Sequence, residues 1–390
     1  MISTLTLSEF RNHESSRIKA GAAKAVIITG PNGSGKTSIL EALSVFSSNG
    51  TMRGAAMPEI LRIGARGGGF GVVAELPDGT NLSVSWSDGD SWRRARVDGD
   101  AAALSALPRH LRMVWLTPRE DRLFMDAASD RRAFFDRLVA AFDPAHAGRA
   151  ARLAKLLSER AFAMKSGAAG EWLAPIEKQL AETAVSVAAA RVKYVGEINW
   201  FLNSYESAER RAQISSKIEV DSCDKSSSPC ALRSHNYVIT ISGMLEEKLS
   251  NGALASDVER EYLEYLSRER ALVSDKMTID GAHRADFGMF NRALDMRAAQ
   301  TSTGQQKSAL LSLILAHAKL VRARTGARPL ILLDEAAAHL DESARAALFD
   351  ALSKADAQVW ATGIDPALFA GVSDAIFIGC DNGRIVYNSP

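Results

Sequence analysis

Gly30-Pro31-Asn32-Gly33-Ser34-Gly35-Lys36-Thr37 carries the spacing G-x-x-x-x-G-K-[ST]. Glycines at these positions let the backbone wrap a phosphate without Cβ clashes. Their successive N–H groups, with the N-terminus of a following helix, make a pocket of positive potential. Lys36 then reaches the β- and γ-phosphates, and the Thr37 hydroxyl can ligate Mg²⁺. The nucleotide contacts expected from this segment are Asn32, Gly33, Gly35, Lys36, Thr37 and Ser38. A second segment, Leu330-Ile331-Leu332-Leu333-Asp334-Glu335, is four apolar residues followed by two acids. At the carboxyl edge of a sheet both acids would stand beside the phosphate loop. Asp334 would hold Mg²⁺ together with Thr37, and Glu335 would polarise the attacking water. Lys36, Asp334 and Glu335 are therefore the expected catalytic residues, with ATP and Mg²⁺ as cofactors.

The elements that must position these groups are legible nearby. Ala25-Val26-Ile27-Ile28-Thr29 is a short apolar run of the buried-strand kind, and Ile39 to Val45 continues as a helix after the loop. Ile2, Leu5 and Leu7 alternate as in a strand. Residues 71–97 predict a β-meander, with Pro-Asp-Gly and Asp-Gly-Asp as turn signals. Gly64 to Gly71 is glycine-rich, but no apolar strand precedes it and no helix follows, so it reads as a linker turn. Residues 130–165 are Ala-, Leu- and Arg-rich, hence helical. Leu173, Leu180, Val187, Tyr194 and Phe201 recur at seven-residue spacing, while the second seam (Ile176, Thr183, Ala190, Glu197) is weak. With a second helical stretch at 254–276 and a polar, Ser-rich 203–240 between, this suggests a short antiparallel helical arm, or two packed helices of a helical subdomain. Residues 307–325 predict another helix, Val359-Trp360-Ala361-Thr362 a strand, and 375–387 a closing hairpin.

Strands alternating with helices at both ends, around a helical middle, imply one α/β domain assembled from both termini. The expected division is 1–145, 146–276 and 277–390. The 46% hydrophobic and 24% charged composition fits a globular protein and excludes collagen, low-complexity disorder and a disulfide-stapled miniprotein. No window approaches the roughly 18 apolar residues of a membrane helix. The N-terminal stretch lacks the pattern of a signal peptide, and three cysteines suggest a reducing compartment, so a cytoplasmic location without membrane association is expected. The net charge of +1 leaves nucleic-acid binding to local patches. Arg62 and Arg66, Arg93, Arg94 and Arg96, and Arg131 and Arg132 are the candidate phosphate contacts, although intramolecular pairing would explain each cluster equally well. Cys223 and Cys230, with His235, are too few for a zinc site.

Thr301-Ser302-Thr303-Gly304-Gln305-Gln306-Lys307 precedes a long apolar helix, and its hydroxyls, glycine and free N–H groups would form an anion site at a helix start. It resembles the signature motif of ABC-type ATPases, which binds the γ-phosphate held by the opposite subunit. Ala336-Ala337-Ala338-His339-Leu340-Asp341 resembles that family's D-loop; His339 by itself reads as structural. The 266 positions from Lys36 to Ser302 exceed a transporter subunit and fall far short of the arms of SMC or Rad50 proteins. No glutamine lies between 38 and 178, so the transporter Gln loop is absent, and Thr362-Gly363 stands where transporters carry the switch histidine.

The whole pattern is similar to the RecF family of bacterial recombination and gap-repair mediators. The resemblance rests on Phe10-Arg11-Asn12, Glu41-Ala42, Pro118-Arg119-Glu120-Asp121, Arg131 to Asp136, Gly281 to Asp286, Ser302 to Lys307 and Asp334 to Asp341. It implies an ABC-type P-loop ATPase head built from N- and C-terminal segments, with an inserted β-meander and a short helical arm lobe. It adds Arg11, Asn12, Ser302, Gly304, Gln305 and Asp341 to the expected nucleotide contacts. It also implies an ATP-dependent homodimer that clamps double-stranded or gapped DNA, slow hydrolysis, and RecO-like and RecR-like partners. A Rad50-like head partnering a nuclease is the alternative; a transporter ATPase and a scaffold without turnover are the remaining ones.

Overall fold

The computed structural model describes residues 1–48, 50–65, 67–167, 170–217, 237–270, 279–336, 340 and 342–387. Period-two burial makes strands of Thr4–Phe10 (β1) and His13–Lys19 (β2), while Ala25–Thr29 (β3) is buried throughout. Lys36–Ser44 (α1) follows the phosphate loop, and Met57–Ile60 (α2) is a single turn. Gly69–Glu75 (β4), Asn81–Ser87 (β5), Arg94–Val97 (β6) and Asp100–Ala102 (β7) form the expected meander. Met113–Leu116 (β8) follows.

The middle of the chain supplies Ala128–Ala140 (α3), His146–Lys165 (α4), Gly170–Lys217 (α5), Tyr237–Ser242 (β9), Met244–Ser250 (α6), Ala255–Glu269 (α7), Asp286–Asn291 (β10) and Met296–Arg297 (β11). The remainder is Thr303–Thr325 (α8), Leu330–Leu333 (β12), Glu342–Ser353 (α9), Gln358–Gly363 (β13), Ala375–Asp381 (β14) and Arg384–Tyr387 (β15).

Two compact units result. The first comprises Met1–Arg122, Arg211–Ser234 and Ser302–Pro390. It holds an antiparallel sheet of order β2-β1-β4-β5-β6-β7 and a sheet of order β15-β14-β3-β13-β12-β8, parallel except for β15. The meander is thus completed by β1 and β2, and the parallel sheet by β8, whose four residues carry no turn signal that would mark them. Leu5, Leu7, Ile18, Val72, Leu82 and Val84 from the antiparallel sheet share one core with Val26, Ile28, Ile39, Leu43, Leu332 and Trp360. Each such side chain contributes about 1.5–3 kcal/mol of burial.

The second unit comprises Leu123–Arg210 and His235–Thr301. Its edges lie earlier and later than 146 and 276, because α3 and β10 belong to it: Phe135 stacks on Phe287 at 4.3 Å, and Arg131 grips Asp286 with bonds of 2.7 and 2.8 Å. Arg132 donates to the Ala285 carbonyl at 2.8 Å. Helix α5 buries Leu180, Ala184, Val187, Ala188, Arg191, Tyr194, Val195 and Ile198. That face is wider than the two seams of a coiled coil, and with Leu153, Leu156, Val258, Tyr262 and Leu266 it makes the core of a helical subdomain. The three-stranded antiparallel sheet β11-β10-β9 is an addition that no periodicity announced. Arg191 holds Asp136 with two 2.8 Å bonds and meets the buried Glu246 at 3.3 Å. Among the described residues no helix is long and apolar enough to cross a membrane.

Candidate functional site

The parallel sheet brings the two chemical segments together at one edge. β3 runs into the phosphate loop, β12 into Asp334-Glu335, and β13 lies between them. Parallel strands in register end on the same side, so residues far apart in sequence become neighbours. The result is a cleft of about 490 Å³ lined by Arg11, Asn12, Asn32, Gly33, Gly35, Lys36, Thr37, Ser38, Arg53, Leu61, Ile63 and Glu335, with Glu59 alongside.

The loop has the conformation its glycines permit. Gly33 and Gly35 have φ of +79° and +111°. A Cβ on Gly35 would stand 2.6 Å from Asn12 Nδ2 and 2.8 Å from His13 Nε2. His13 is fully buried beneath the loop, its ring nitrogens 2.9 Å from Ser16 Oγ and 3.2 Å from the Gly35 carbonyl. Burial pushes the His13 imidazole below its ordinary pKa. The β14–β15 turn braces the other side, the Gly383 N–H donating to the Ser34 carbonyl at 2.8 Å. Lys36 Nζ donates to the carbonyls of Gly30 at 2.7 Å and Pro31 at 2.8 Å, which holds its ammonium against the loop.

Thr37 Oγ1 donates to Asp334 Oδ1 at 2.9 Å, and Thr362 Oγ1 donates to the same oxygen at 2.7 Å. With its proton spent on Asp334, the Thr37 oxygen keeps its lone pairs for a cation. A hydroxyl and a carboxylate held this close are the hard oxygen donors that Mg²⁺ takes, so the residues fit a magnesium–nucleotide complex. Burial pushes the Asp334 carboxyl above its ordinary pKa, while the hydroxyls of Thr362 and Thr37 pull it down, Glu335 pushes it up and Arg53 draws it down. Glu335 takes a left-handed φ of +50°, and its N–H donates to Thr362 Oγ1 at 3.0 Å.

Arg11, at φ +54°, is gripped by the buried Glu41 through bonds of 2.8 and 2.7 Å and donates to the Glu59 carbonyl at 2.6 Å. Its guanidinium is thereby aimed by α1, the helix that follows the phosphate loop. Ser302, Gly304 and Gln305 do not line this cleft; they sit exposed at the start of α8. Ser302 is the N-cap, and its hydroxyl and the Gln305 side chain form a reciprocal capping box at 3.4 and 3.1 Å. Lys307, buried one turn on, reaches Asp121 Oδ2 at 3.3 Å and the Glu335 carbonyl at 3.4 Å. Asp341 and His339 lie outside the described residues, as do Arg66, Cys223, Cys230 and His235. Among the described residues no metal-holding cluster of His, Cys, Asp or Glu occurs.

Sequence reasoning did not assign Thr362, Arg53 or Glu41 a part in this site. In sequence Thr362 closes a strand and stands in place of a switch histidine. The basic clusters are engaged inside the chain: Arg62 pairs with Glu9 at 2.6 Å, Arg93 donates to the Ser47 carbonyl at 3.0 Å, Arg94 pairs with Asp90, and Arg96 donates to the Gly99 carbonyl at 3.3 Å.

The family described as RecF/RecN/SMC N terminal domain matches residues 1–384. The DNA replication and repair protein RecF of Rhizobium leguminosarum bv. trifolii (strain WSM2304) is 37% identical over 382 residues, covering 96% of this chain and 95% of its own. That of Rhizobium etli (strain CIAT 652) is 37% identical over 394 residues, 98% of each. A solved structure of the recombination mediator protein RecF with ATP, of the RecFOR pathway, superposes with a TM-score of 0.78 at 18% identity, over 100% of this chain and 99% of that one. An Smc head bound to the C-terminal winged-helix domain of ScpA shares the fold at a TM-score of 0.53 and 14% identity, over 100% and 97%. The head architecture and near-full-length similarity lead to one assignment: the chain belongs to the RecF family.

Proposed function

We propose that this chain is an ATP-dependent DNA-binding protein of recombinational DNA repair and replication-gap recovery, with a weak ATPase activity that DNA stimulates. Two chains pair on ATP, each completing the other's pocket, and the dimer clamps double-stranded or gapped DNA in the cytoplasm. RecO-like and RecR-like proteins are its partners in loading recombinase. The observation that carries the reading is the division of the expected phosphate contacts. Lys36, Thr37, Asp334 and Glu335 converge on one edge of the sheet, while Ser302, Gly304 and Gln305 stand exposed and away from that cleft. A helix tip with an exposed N-cap hydroxyl and a glycine suits a phosphate brought by a second molecule. Asp341, in the D-loop run, is proposed to contact the nucleotide across the same interface.

In the pocket the loop amides and Lys36 bind the β- and γ-phosphates. Magnesium, when bound through Thr37 and Asp334, neutralises charge between these phosphates. Arg11 holds the nucleotide beside the loop, with Asn12 next to it. Glu335 takes a proton from the attacking water, or orients it, at its carboxylate. Hydrolysis at such a site opens the dimer and resets the clamp. The DNA part rests on the relatives, which are named as DNA replication and repair proteins. The test is ATP turnover with and without gapped duplex DNA. Low basal turnover raised by DNA, and abolished by Glu335→Gln, is expected. Turnover indifferent to DNA would refute the clamp reading.

A further inference from the structure

Glu335 is the only described non-glycine residue of the site's acidic edge with a left-handed backbone. L-residues avoid that region, so surrounding bonds must hold it there. Two are visible, one on each side of the residue. The Glu335 N–H is held by Thr362 Oγ1 at 3.0 Å, and its carbonyl is met by Lys307 Nζ at 3.4 Å. Thr362 is 1% exposed and Lys307 5% exposed, so the half-buried Glu335 peptide is held on both sides by buried partners. An N–H can only donate. The Thr362 oxygen must therefore accept from Glu335, which turns its own proton onto Asp334 Oδ1 at 2.7 Å. One hydroxyl thus fixes the backbone of one acid and the carboxylate of the other.

We propose that Thr362 and Lys307 are positioning residues that clamp the Glu335 peptide from both sides and so set where its carboxylate stands over the phosphate cleft. The clamp also joins two pockets. Lys307 lies one turn inside α8, the helix whose exposed tip carries Ser302 and Gly304. A displacement of that tip by a partner's phosphate is carried along a rigid helix to the Glu335 carbonyl. The chain's own catalytic carboxylate then answers to occupancy of the other pocket. This rests on the ATPase reading above, which Glu335→Gln tests separately.

The experiment uses the full chain and three variants. Thr362→Val keeps the volume and removes the hydroxyl; Thr362→Ser keeps the hydroxyl; Lys307→Met removes the ammonium. In the nucleotide-free chain, amide hydrogen exchange at Glu335 is expected to speed up about 10–100-fold in Thr362→Val, the loss of one hydrogen bond at that amide. Thr362→Ser should return it to within a few-fold of the parent. With ATP, Thr362→Val and Lys307→Met should both lower kcat by about 10–100-fold; in Lys307→Met, which leaves Asp334 and the phosphate loop untouched, KM and nucleotide affinity should stay within threefold, and in Thr362→Val the affinity for nucleotide without magnesium should do so. Lys307→Met carries the test if the valine variant folds poorly. Unchanged Glu335 exchange and unchanged kcat in both would overturn the clamp while Glu335→Gln still abolishes turnover. Turnover that survives Glu335→Gln would instead overturn the ATPase reading itself.

Discussion

Gly304 separates what the fold needs from what a partner needs. It lies in the first turn of α8, two positions after the Ser302 N-cap, and is exposed. A Cβ added there meets no atom within 4 Å, and its backbone is helical, without the positive φ that demands glycine. Within one chain, Gly304→Ala should therefore be neutral or stabilising by up to about 1 kcal/mol, since alanine loses less backbone entropy in a helix. In the proposed ATP-bound dimer the same methyl would stand where a phosphate oxygen must approach the helix N-terminus. A displacement of about 1 Å at a reacting phosphate costs on the order of 100-fold in rate. The assay pairs a thermal melt and monomer nucleotide binding with ATP-dependent dimerisation and turnover. The expected result is an unchanged or raised melting temperature, unchanged monomer binding, and loss of dimer and turnover. Wild-type dimerisation in the variant, or a melting temperature several degrees lower, would refute the reasoning.

Further outcomes follow from the same geometry. Gly35→Ala places a methyl 2.6–2.8 Å from Asn12 and the buried His13 at a φ of +111°, and should weaken nucleotide binding by 1–2 decades, about 1.4–2.7 kcal/mol, in a calorimetric titration; affinity within threefold of the parent would contradict it. Burial lowers the His13 pKa, so the unfolded chain binds the proton more readily. The resulting stability is full above the unfolded value of about 6.5 and falls as pH drops below it, so denaturant midpoints should fall less steeply from pH 8 to pH 5.5 in His13→Gln; parallel slopes would count against this. In the helical unit, burial raises the Asp136 carboxyl, but Arg191 and His146 outweigh it and hold it at about 2. Arg191→Met leaves the buried Glu246 without its ion-pair partner and Asp136 with His146 alone, and should cost about 3–5 kcal/mol in chemical denaturation, which a loss under 1 kcal/mol would disprove.

The phosphate loop, the Asp334-Glu335 pair and the Ser302–Lys307 tip could be read from sequence because their chemistry is local: residue type and spacing along a few positions state the ligand. Thr362 could not. A threonine in Val-Trp-Ala-Thr is an ordinary strand residue, and its role exists only because β13 pairs in parallel register with β12, which places it beside Asp334. Glu41 is similarly silent until β1 delivers Arg11 to it. Strands β9 and β10 are silent in sequence because their pairing spans a long sequence separation, and although burial in β10 alternates over all six residues, Phe290 on its outer face and the buried Asn291 break the apolar–polar pattern that would show it. The seven-residue spacing in α5 was real but incomplete, since Ala184, Ala188, Arg191 and Ile198 widen the buried face beyond a seam. The arginine clusters left two readings open in sequence, ligand contact or intramolecular pairing, and Glu9, Asp90 and Asp286 pair with several of them.

A shared pocket is tested most directly by the mass of Glu335→Gln in solution, by light scattering at equal protein concentration with and without ATP and magnesium. Twice the single-chain mass with ATP, returning to one chain when Ser302→Arg is added, is the predicted result. A single-chain mass with ATP demonstrably bound would contradict the account.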